Sequence, residues 1–281
     1  MQGIAEGAEL DFDDILAINC RSEILFAAPD GCSCIGALSA QTKDGHVYLA
    51  QNWDWLRAVD NSVVIVKIEQ PGYPRVIMCA EAGIIGGKGL NESGIGVCLN
   101  ALSVGRGKPG VPLHVIYRKI LCQTCISNAL GAVASAQRAG SGNFVIGSSQ
   151  DFLLNVEFTP ENFDVLAADE TKLLVHTNHY LSPLFIAEDT FKRDLPDTFI
   201  RLNRLERLTN SYVGTVDGKT ILSILRDHRN KPDSICSHED PADPPGKRLC
   251  TIYAVIMDLT ERKLRITEGQ PCTSEITEIS F

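Results

Sequence analysis

Ten cysteines stand in this chain of 281 residues, and the cysteine thiol is among the most nucleophilic side chains at neutral pH. They do not cluster as in a small disulfide framework, and the chain begins with polar and acidic residues rather than with a signal peptide. We therefore expect reduced thiols, most of them packed as small apolar side chains. The ten are Cys20, Cys32, Cys34, Cys79, Cys98, Cys122, Cys125, Cys236, Cys250 and Cys272.

Cys32 is the cysteine whose position most favours chemistry. It follows Asp30-Gly31, a tight-turn pair, and opens a β-rich run at a predicted boundary between a helix and a strand. A Gly–Cys bond at such a boundary is where a self-cleaving precursor would expose a new N-terminal cysteine. The freed α-amine, with a reference pKa of about 7.7–8.0, could take the thiol proton, so no histidine partner would be needed.

The other short motifs predict packing or loops. Cys122 and Cys125 fall on one face of a predicted helix without a second CxxC motif, which favours core packing. His176 and His179 lack a third ligand at zincin spacing. The glycine-rich stretches match neither the dinucleotide nor the Walker pattern. The sequence therefore predicts no metal ion and no bound cofactor.

The elements that must position Cys32 follow from hydrophobic spacing and turn residues. Helices are expected over 9–26, which would end at the turn Pro29-Asp30-Gly31, and over 111–125, 127–139, 198–209 and 219–228. Strands are expected over 32–39, 46–53, 63–69, 75–81, 94–102, 143–149, 152–158, 172–178, 251–259, 263–269 and 275–281. Strands, then two helices, then strands predict a layered α+β fold in one domain.

Charge and hydropathy exclude several classes of function. The net charge of −9 argues against a nucleic-acid or anionic-membrane surface, because both select for basic patches. No run approaches the ~18 apolar residues that a spanning helix needs. We expect a soluble, intracellular protein.

Seven short motifs stand in order along nearly the whole chain: DGCS at 30–33, AQNWDW at 50–55, EAGIIGGKGLNESGIGV at 81–97, NAL at 100–102, GVPLH at 110–114, VHTNH at 175–179 and SIC at 234–236. Together they closely resemble the isopenicillin N acyltransferase family, the acyl-CoA:6-aminopenicillanic acid acyltransferases, which are C45 peptidase-like proteins. Each motif is short, but seven in register make the resemblance specific.

The resemblance implies a four-layer αββα N-terminal nucleophile (Ntn) hydrolase fold, in which two antiparallel sheets stack between helical layers. It also implies autocatalytic cleavage between Gly31 and Cys32. An α chain (1–31) and a β chain (32–281) would then remain together as a heterodimer. Because family precursors carry a longer segment before the nucleophile, we expect the α chain to be truncated.

The resemblance also assigns catalytic roles. Cys32 matches the nucleophile, and Asp54 matches the carboxylate that lies beside the new α-amine. Asn178 matches an oxyanion-hole side chain, and Ala101 matches the residue that offers its backbone N–H to the same oxygen. Such donors stabilise the negative charge that develops on the carbonyl oxygen during acyl transfer.

Substrate-binding residues are expected nearby. Arg248 matches a family arginine at the pocket, where a guanidinium can hold a carboxylate. Trp55 stands where the family has another aromatic residue, in the region where a β-lactam substrate would lie. Ser33, next to the nucleophile, completes the expected substrate-binding set.

The expected function is acyl transfer through a Cys32 acyl-thioester. The donor would be acyl-CoA, as a co-substrate, or an amide side chain, and the acceptor would be the amine of a 6-aminopenicillanic acid-like molecule. Two alternatives stay open: an amidohydrolase acting on penicillin-like, N-acyl amino acid or β-alanyl amide substrates, and an unprocessed, non-catalytic paralogue. Since the chain ends in Ile279-Ser280-Phe281 rather than in a peroxisomal tripeptide, we expect a cytoplasmic location.

Overall fold

The structure, a computed structural model, describes residues 1–25, 31–244, 246 and 248–281. The strands are β1 Gly31–Ala37, β2 Tyr48–Leu56, β3 Val63–Ile68, β4 Val76–Glu81, β5 Lys88–Asn91, β6 Ile95–Asn100, β7 Gly142–Ser148, β8 Phe152–Phe158, β9 Phe163–Ala167, β10 Leu174–His176, β11 Leu249–Asp258, β12 Lys263–Thr267 and β13 Ile276–Ser280. The helices are α1 Gln2–Ala8, α2 Phe12–Asn19, α3 Arg21–Leu25, α4 Leu113–Leu121, α5 Ile126–Ala134, α6 Phe191–Asp194, α7 Asp197–Asn210 and α8 Gly218–Leu225.

The strands of these described residues form two sheets. A six-stranded sheet has the order β10-β1-β2-β11-β12-β13, and a seven-stranded sheet has the order β3-β4-β5-β6-β7-β8-β9. Neighbouring strands are antiparallel throughout, as in β1 against β2 and β6 against β7. The mixture of antiparallel sheets and helices confirms the predicted α+β class.

Three apolar clusters stack the elements into four layers. The cluster between the two sheets includes Leu49, Ile77, Val145, Val255 and Met257. Helices α7 and α8 cover the outer face of the six-stranded sheet through Leu205, Ile221, Ile224 and Leu225. Helices α4 and α5 cover the outer face of the seven-stranded sheet through Ile116, Tyr117, Ile120, Ala129 and Val133. The order helix, sheet, sheet, helix confirms the predicted αββα layering.

Polar residues of β2 tie these layers together. The Gln51 Nε2 donates to the Leu99 carbonyl at 2.6 Å and so joins the two sheets. The next side chain points to the other face, because side chains alternate along a strand. There the Asn52 Nδ2 donates to the carbonyls of Leu225 and Ile235, at 2.8 and 2.7 Å. Two residues of the AQNWDW motif, Gln51 and Asn52, therefore have a structural role.

The N-terminal segment differs from the single helix predicted over 9–26. Helix α2 ends at Asn19, whose side chain bonds to the Gly83 carbonyl and the Ile85 N–H, and α3 starts after Cys20. Helix α1 was not predicted. The Pro29-Asp30 part of the predicted turn lies outside the described residues. No helix in the described ranges is both long enough and apolar enough to cross a membrane.

Two strands were also missed. Strand β5 contains Gly89, where a Cβ would lie 2.3 Å from the Ile77 carbonyl oxygen. Glycine is therefore required where β5 passes close to β4. Strand β9 is a half-exposed edge strand with little hydrophobic signal. The helices predicted over 111–125 and 127–139 are present but shorter, as α4 and α5.

Candidate active site

Cys32 is the second residue of β1, in the middle layers of the molecule. Cys32 is 1% exposed, and its side chain belongs to the apolar cluster between the sheets, together with Trp53. In the β1–β2 register Cys32 pairs with Trp53, and Gly31 pairs with Asp54. The Cys32 N–H donates to the Asn178 Oδ1 at 2.8 Å. Strand pairing thus gathers three of the predicted catalytic residues around the Gly31–Cys32 peptide bond.

Hydrogen bonds fix the orientation of the buried Asn178 amide. Its Oδ1 accepts from Cys32 and from the Arg201 Nη2, at 2.8 and 3.1 Å. Its Nδ2 donates to the Ala101 carbonyl at 3.2 Å. Its backbone N–H donates to the Thr198 Oγ1 at 2.8 Å, which anchors the residue independently of its side chain. The amide is therefore held with its oxygen towards the Cys32 nitrogen.

Arg201 of α7 is a site residue that the sequence did not indicate. It is 2% exposed, and its Nη1 donates to the Cys32 carbonyl at 2.7 Å. Its Nε donates to the Asp197 Oδ2 at 2.7 Å. Burial lowers the pKa of Arg201, but the carboxylates of Asp197 and Asp54 outweigh burial and hold that pKa above its ordinary value. A permanent positive charge therefore lies against the backbone of the nucleophile.

Asp54 lies directly against Gly31 and is 2% exposed. A Cβ on Gly31 would come within 2.8 Å of the Asp54 Cβ, so a larger residue before Cys32 would push this carboxylate away. The Asp54 Oδ1 accepts from the Thr251 Oγ1 at 2.6 Å. This arrangement gives a physical reason for glycine at position 31.

The remaining predicted site residues are distributed around this centre. Ala101 contacts Asn178 through its carbonyl oxygen, and the Ser33 Oγ lies 3.3 Å from the Arg201 Nη1. Trp55 lines a neighbouring cavity. The Arg248 guanidinium donates to the carbonyls of Pro241 and Asp243 in its own loop, at 3.0 Å each.

That cavity has a volume of about 730 Å³, within the range of small-molecule sites. The residues that line it include four large apolar ones, Trp55, Leu56, Leu195 and Ile200, and five aspartates, Asp194, Asp197, Asp233, Asp240 and Asp243. Burial, followed by the charges of Asp197, Asp243 and Asp240, raises the pKa of Asp233. The cavity therefore carries a negative potential, and it meets the Cys32 site through the Asp197–Arg201 ion pair.

The VHTNH histidines make internal contacts. The His176 Nε2 lies 2.8 Å from the Glu157 Oε1, and the His179 Nδ1 lies 2.9 Å from the Thr198 Oγ1. Burial, then the charges of His176 and Arg201, lower the pKa of His179 to about 4, so this imidazole is neutral at neutral pH.

Comparison with known proteins gives a consistent picture. The sequence profile of the family described as acyl-coenzyme A:6-aminopenicillanic acid acyl-transferase matches residues 40–273. A curated relative from Emericella nidulans, the 40 kDa form of acyl-coenzyme A:6-aminopenicillanic-acid-acyltransferase, is 32% identical over 274 residues, which are 96% of this chain and 74% of the relative.

Solved structures share the fold. A mutant of the conjugated bile acid hydrolase from Clostridium perfringens has a TM-score of 0.62 at 14% identity, over 89% of this chain and 97% of the other. The penicillin V acylase from Agrobacterium tumefaciens has a TM-score of 0.59 at 11% identity, over 89% of this chain and 86% of the other.

Proposed function

This chain belongs to the acyl-coenzyme A:6-aminopenicillanic acid acyl-transferase family, and from that premise we propose that it forms an acyl-thioester on Cys32 and passes the acyl group to an amine. As a member of this family the chain is an enzyme of acyl transfer or of amide hydrolysis. The observation that carries the proposal is the set of buried polar groups around Cys32. Asn178, Arg201 and Asp54 are oriented by hydrogen bonds within one small region.

The first proposed step is cleavage between Gly31 and Cys32. The Cys32 Sγ attacks the Gly31 carbonyl carbon, the peptide C–N bond breaks, and the nitrogen takes up a proton. Water then hydrolyses the resulting thioester, which leaves a carboxylate on Gly31 and a free thiol and α-amine on Cys32. The nearness of Asp54 to Gly31 supports this step, because a carboxylate there stabilises the ammonium that forms.

The segment before the cleavage point is held by contacts that do not depend on the peptide bond. Arg21 donates two hydrogen bonds to the Glu81 carboxylate, both at 2.6 Å. The Leu113 N–H donates to the Glu23 Oε1 at 2.7 Å. These contacts support an α chain that stays bound to the β chain after cleavage, as a heterodimer.

In the mature enzyme, the Cys32 α-amine takes the thiol proton and the thiolate attacks the donor carbonyl. The Asn178 Nδ2 and the Ala101 N–H would donate to the oxyanion, and collapse of the tetrahedral intermediate would release the leaving group with a proton. The acceptor amine then attacks the acyl-thioester and restores the Cys32 thiol. No bound cofactor is required, since acyl-CoA would act as a co-substrate.

The charge of the acidic cavity indicates which substrate it can bind. Five aspartates attract an amine and repel a polyanion such as the nucleotide part of CoA. We therefore assign this cavity to the amine acceptor and place the CoA nucleotide outside it. The same negative charge favours a second candidate, an amidohydrolase. Its acyl donor would be a neutral amide, and water would accept the acyl group.

Product analysis tests the proposal. Purified protein is incubated with an acyl-CoA and 6-aminopenicillanic acid together, and in parallel with the corresponding N-acyl amide alone. We expect the N-acyl product in the first reaction, because an amine held next to the thioester outcompetes water. Free acid as the sole product of both reactions would favour the amidohydrolase.

Two cysteine variants control this experiment. Cys32→Ala should form neither product. Cys34→Ala removes a buried thiol two residues along the same strand and should keep most of the activity. Activity that survives in Cys32→Ala would contradict the assigned nucleophile.

A further inference from the structure

A cluster of two histidines and two cysteines lies at the edge of the cavity, outside the acyl-transfer centre. His228 follows α8, Cys236 and His238 lie in the loop before β11, and Cys272 follows β12. One ligand atom from each of the four lies within 4.8 Å of the others. The His238 Nε2 is 3.0 Å from the His228 Nε2, 3.8 Å from the Cys236 Sγ and 3.7 Å from the Cys272 Sγ.

These separations are close to those of a tetrahedral metal site: the two nitrogen-to-sulfur distances fall within its range, and the nitrogen-to-nitrogen distance is slightly shorter. Bonds of about 2.3 Å from Zn²⁺ to sulfur and about 2.0–2.1 Å to nitrogen place ligand atoms roughly 3.3–3.8 Å apart. Two thiolates and two imidazoles form the Cys₂His₂ set of structural zinc sites. We propose that His228, Cys236, His238 and Cys272 bind one zinc ion.

The exposure of the four residues suits this role. Cys236 is buried, His238 and Cys272 are half-buried, and His228 is exposed, so an ion can reach the cluster from solvent. A dication at this point favours the thiolate forms of Cys236 and Cys272. Binding of Zn²⁺ to two thiols then releases two protons.

Gln270 contacts one of the four ligands. Its Nε2 donates to the Ser237 carbonyl at 2.9 Å and lies 3.2 Å from the His238 Nδ1. Four protein ligands leave no open position, so the ion is structural rather than catalytic.

The location gives the ion a role in shaping the site. His238 lines the cavity, and the neighbouring Ser237 N–H donates to the Thr251 Oγ1, which in turn donates to Asp54. An ion at this position joins three separate segments of the chain: the turn after α8, the loop before β11, whose His238 lines the cavity, and the turn after β12. The inference stands on this geometry and is independent of the proposed function. It departs from the sequence-based expectation that no metal is bound.

Metal titration of the purified, reduced chain tests the proposal. We expect one equivalent of zinc by elemental analysis, release of two protons per ion, and a higher melting temperature with zinc than without. Co²⁺ as a probe should give thiolate-to-metal charge-transfer absorption. Cys272→Ser should lower the affinity for zinc by more than about 100-fold. Cys122→Ser, which removes another half-buried thiol, should leave it unchanged.

Two outcomes would overturn the proposal. One is equal zinc binding by Cys272→Ser and wild type. The other is wild-type protein that binds no zinc and instead carries a Cys236–Cys272 disulfide under non-reducing conditions. If Cys272→Ser does not fold, alkylation of the thiols of the wild-type protein is the deciding test. Zinc must protect Cys236 and Cys272, but not Cys122, from alkylation. Equal labelling with and without zinc contradicts the site.

Discussion

An Arg201→Met variant is expected to lose about 100-fold or more in the rate of acyl transfer. The guanidinium donates to the Cys32 carbonyl and to the Asn178 Oδ1, and it is buried. A hydrogen bond from a charged group is worth about 1.5–3 kcal/mol, and two such bonds correspond to at least about 100-fold in rate. Arg201 thus acts as a positioning residue, because it holds the backbone of the nucleophile and the amide that faces it.

The matched control is Arg204→Met on the same helix. Arg204 pairs with Asp227, away from Cys32, so its loss should leave kcat close to that of wild type. Arg201→Lys keeps the charge but lacks the planar fork that reaches several acceptors, so we expect partial rescue at most. Steady-state kinetics of folded variants, checked by circular dichroism, measure these effects. Wild-type kcat in folded Arg201→Met would contradict the role.

Asn178→Ala is expected to lower kcat by about 100- to 1,000-fold with little change in KM, as the loss of one oxyanion donor does. The fold should persist, because the backbone N–H of Asn178 keeps its bond to Thr198. Asn178→Asp retains an oxygen for the Cys32 N–H but loses the Nδ2 donor, so it should be as impaired as the alanine variant. A raised KM at unchanged kcat would indicate a substrate-binding role instead.

The sequence predicted which residues meet at the candidate site better than it predicted how they meet. Cys32 and Asn178 are 146 residues apart, yet they share a hydrogen bond because β10 pairs with β1. The β-rich composition of two short runs predicted both strands. It does not encode which strands become neighbours, so the register that places Asp54 opposite Gly31 came from the structure.

Arg201 and the His/Cys cluster were missed for a different reason. Arg201, Arg204 and Arg207 look alike in an amphipathic helix, and tertiary packing alone buries the first of them. The Asp197–Arg201 spacing of four residues was the one local signal, and such pairs are common on exposed helices. Three of the four metal-ligand candidates lie within 228–238, but their spacing matches no zinc motif, and the turn that brings Cys272 beside them is evident only from the fold.

Intact-mass spectrometry of the purified protein, wild type beside Cys32→Ala, tests most directly whether Cys32 becomes an N-terminal nucleophile. We expect two fragments from wild type, residues 1–31 and residues 32–281, and a single uncut chain from the variant. A wild-type protein that remains one uncut chain while it forms the N-acyl product would contradict the proposed mechanism.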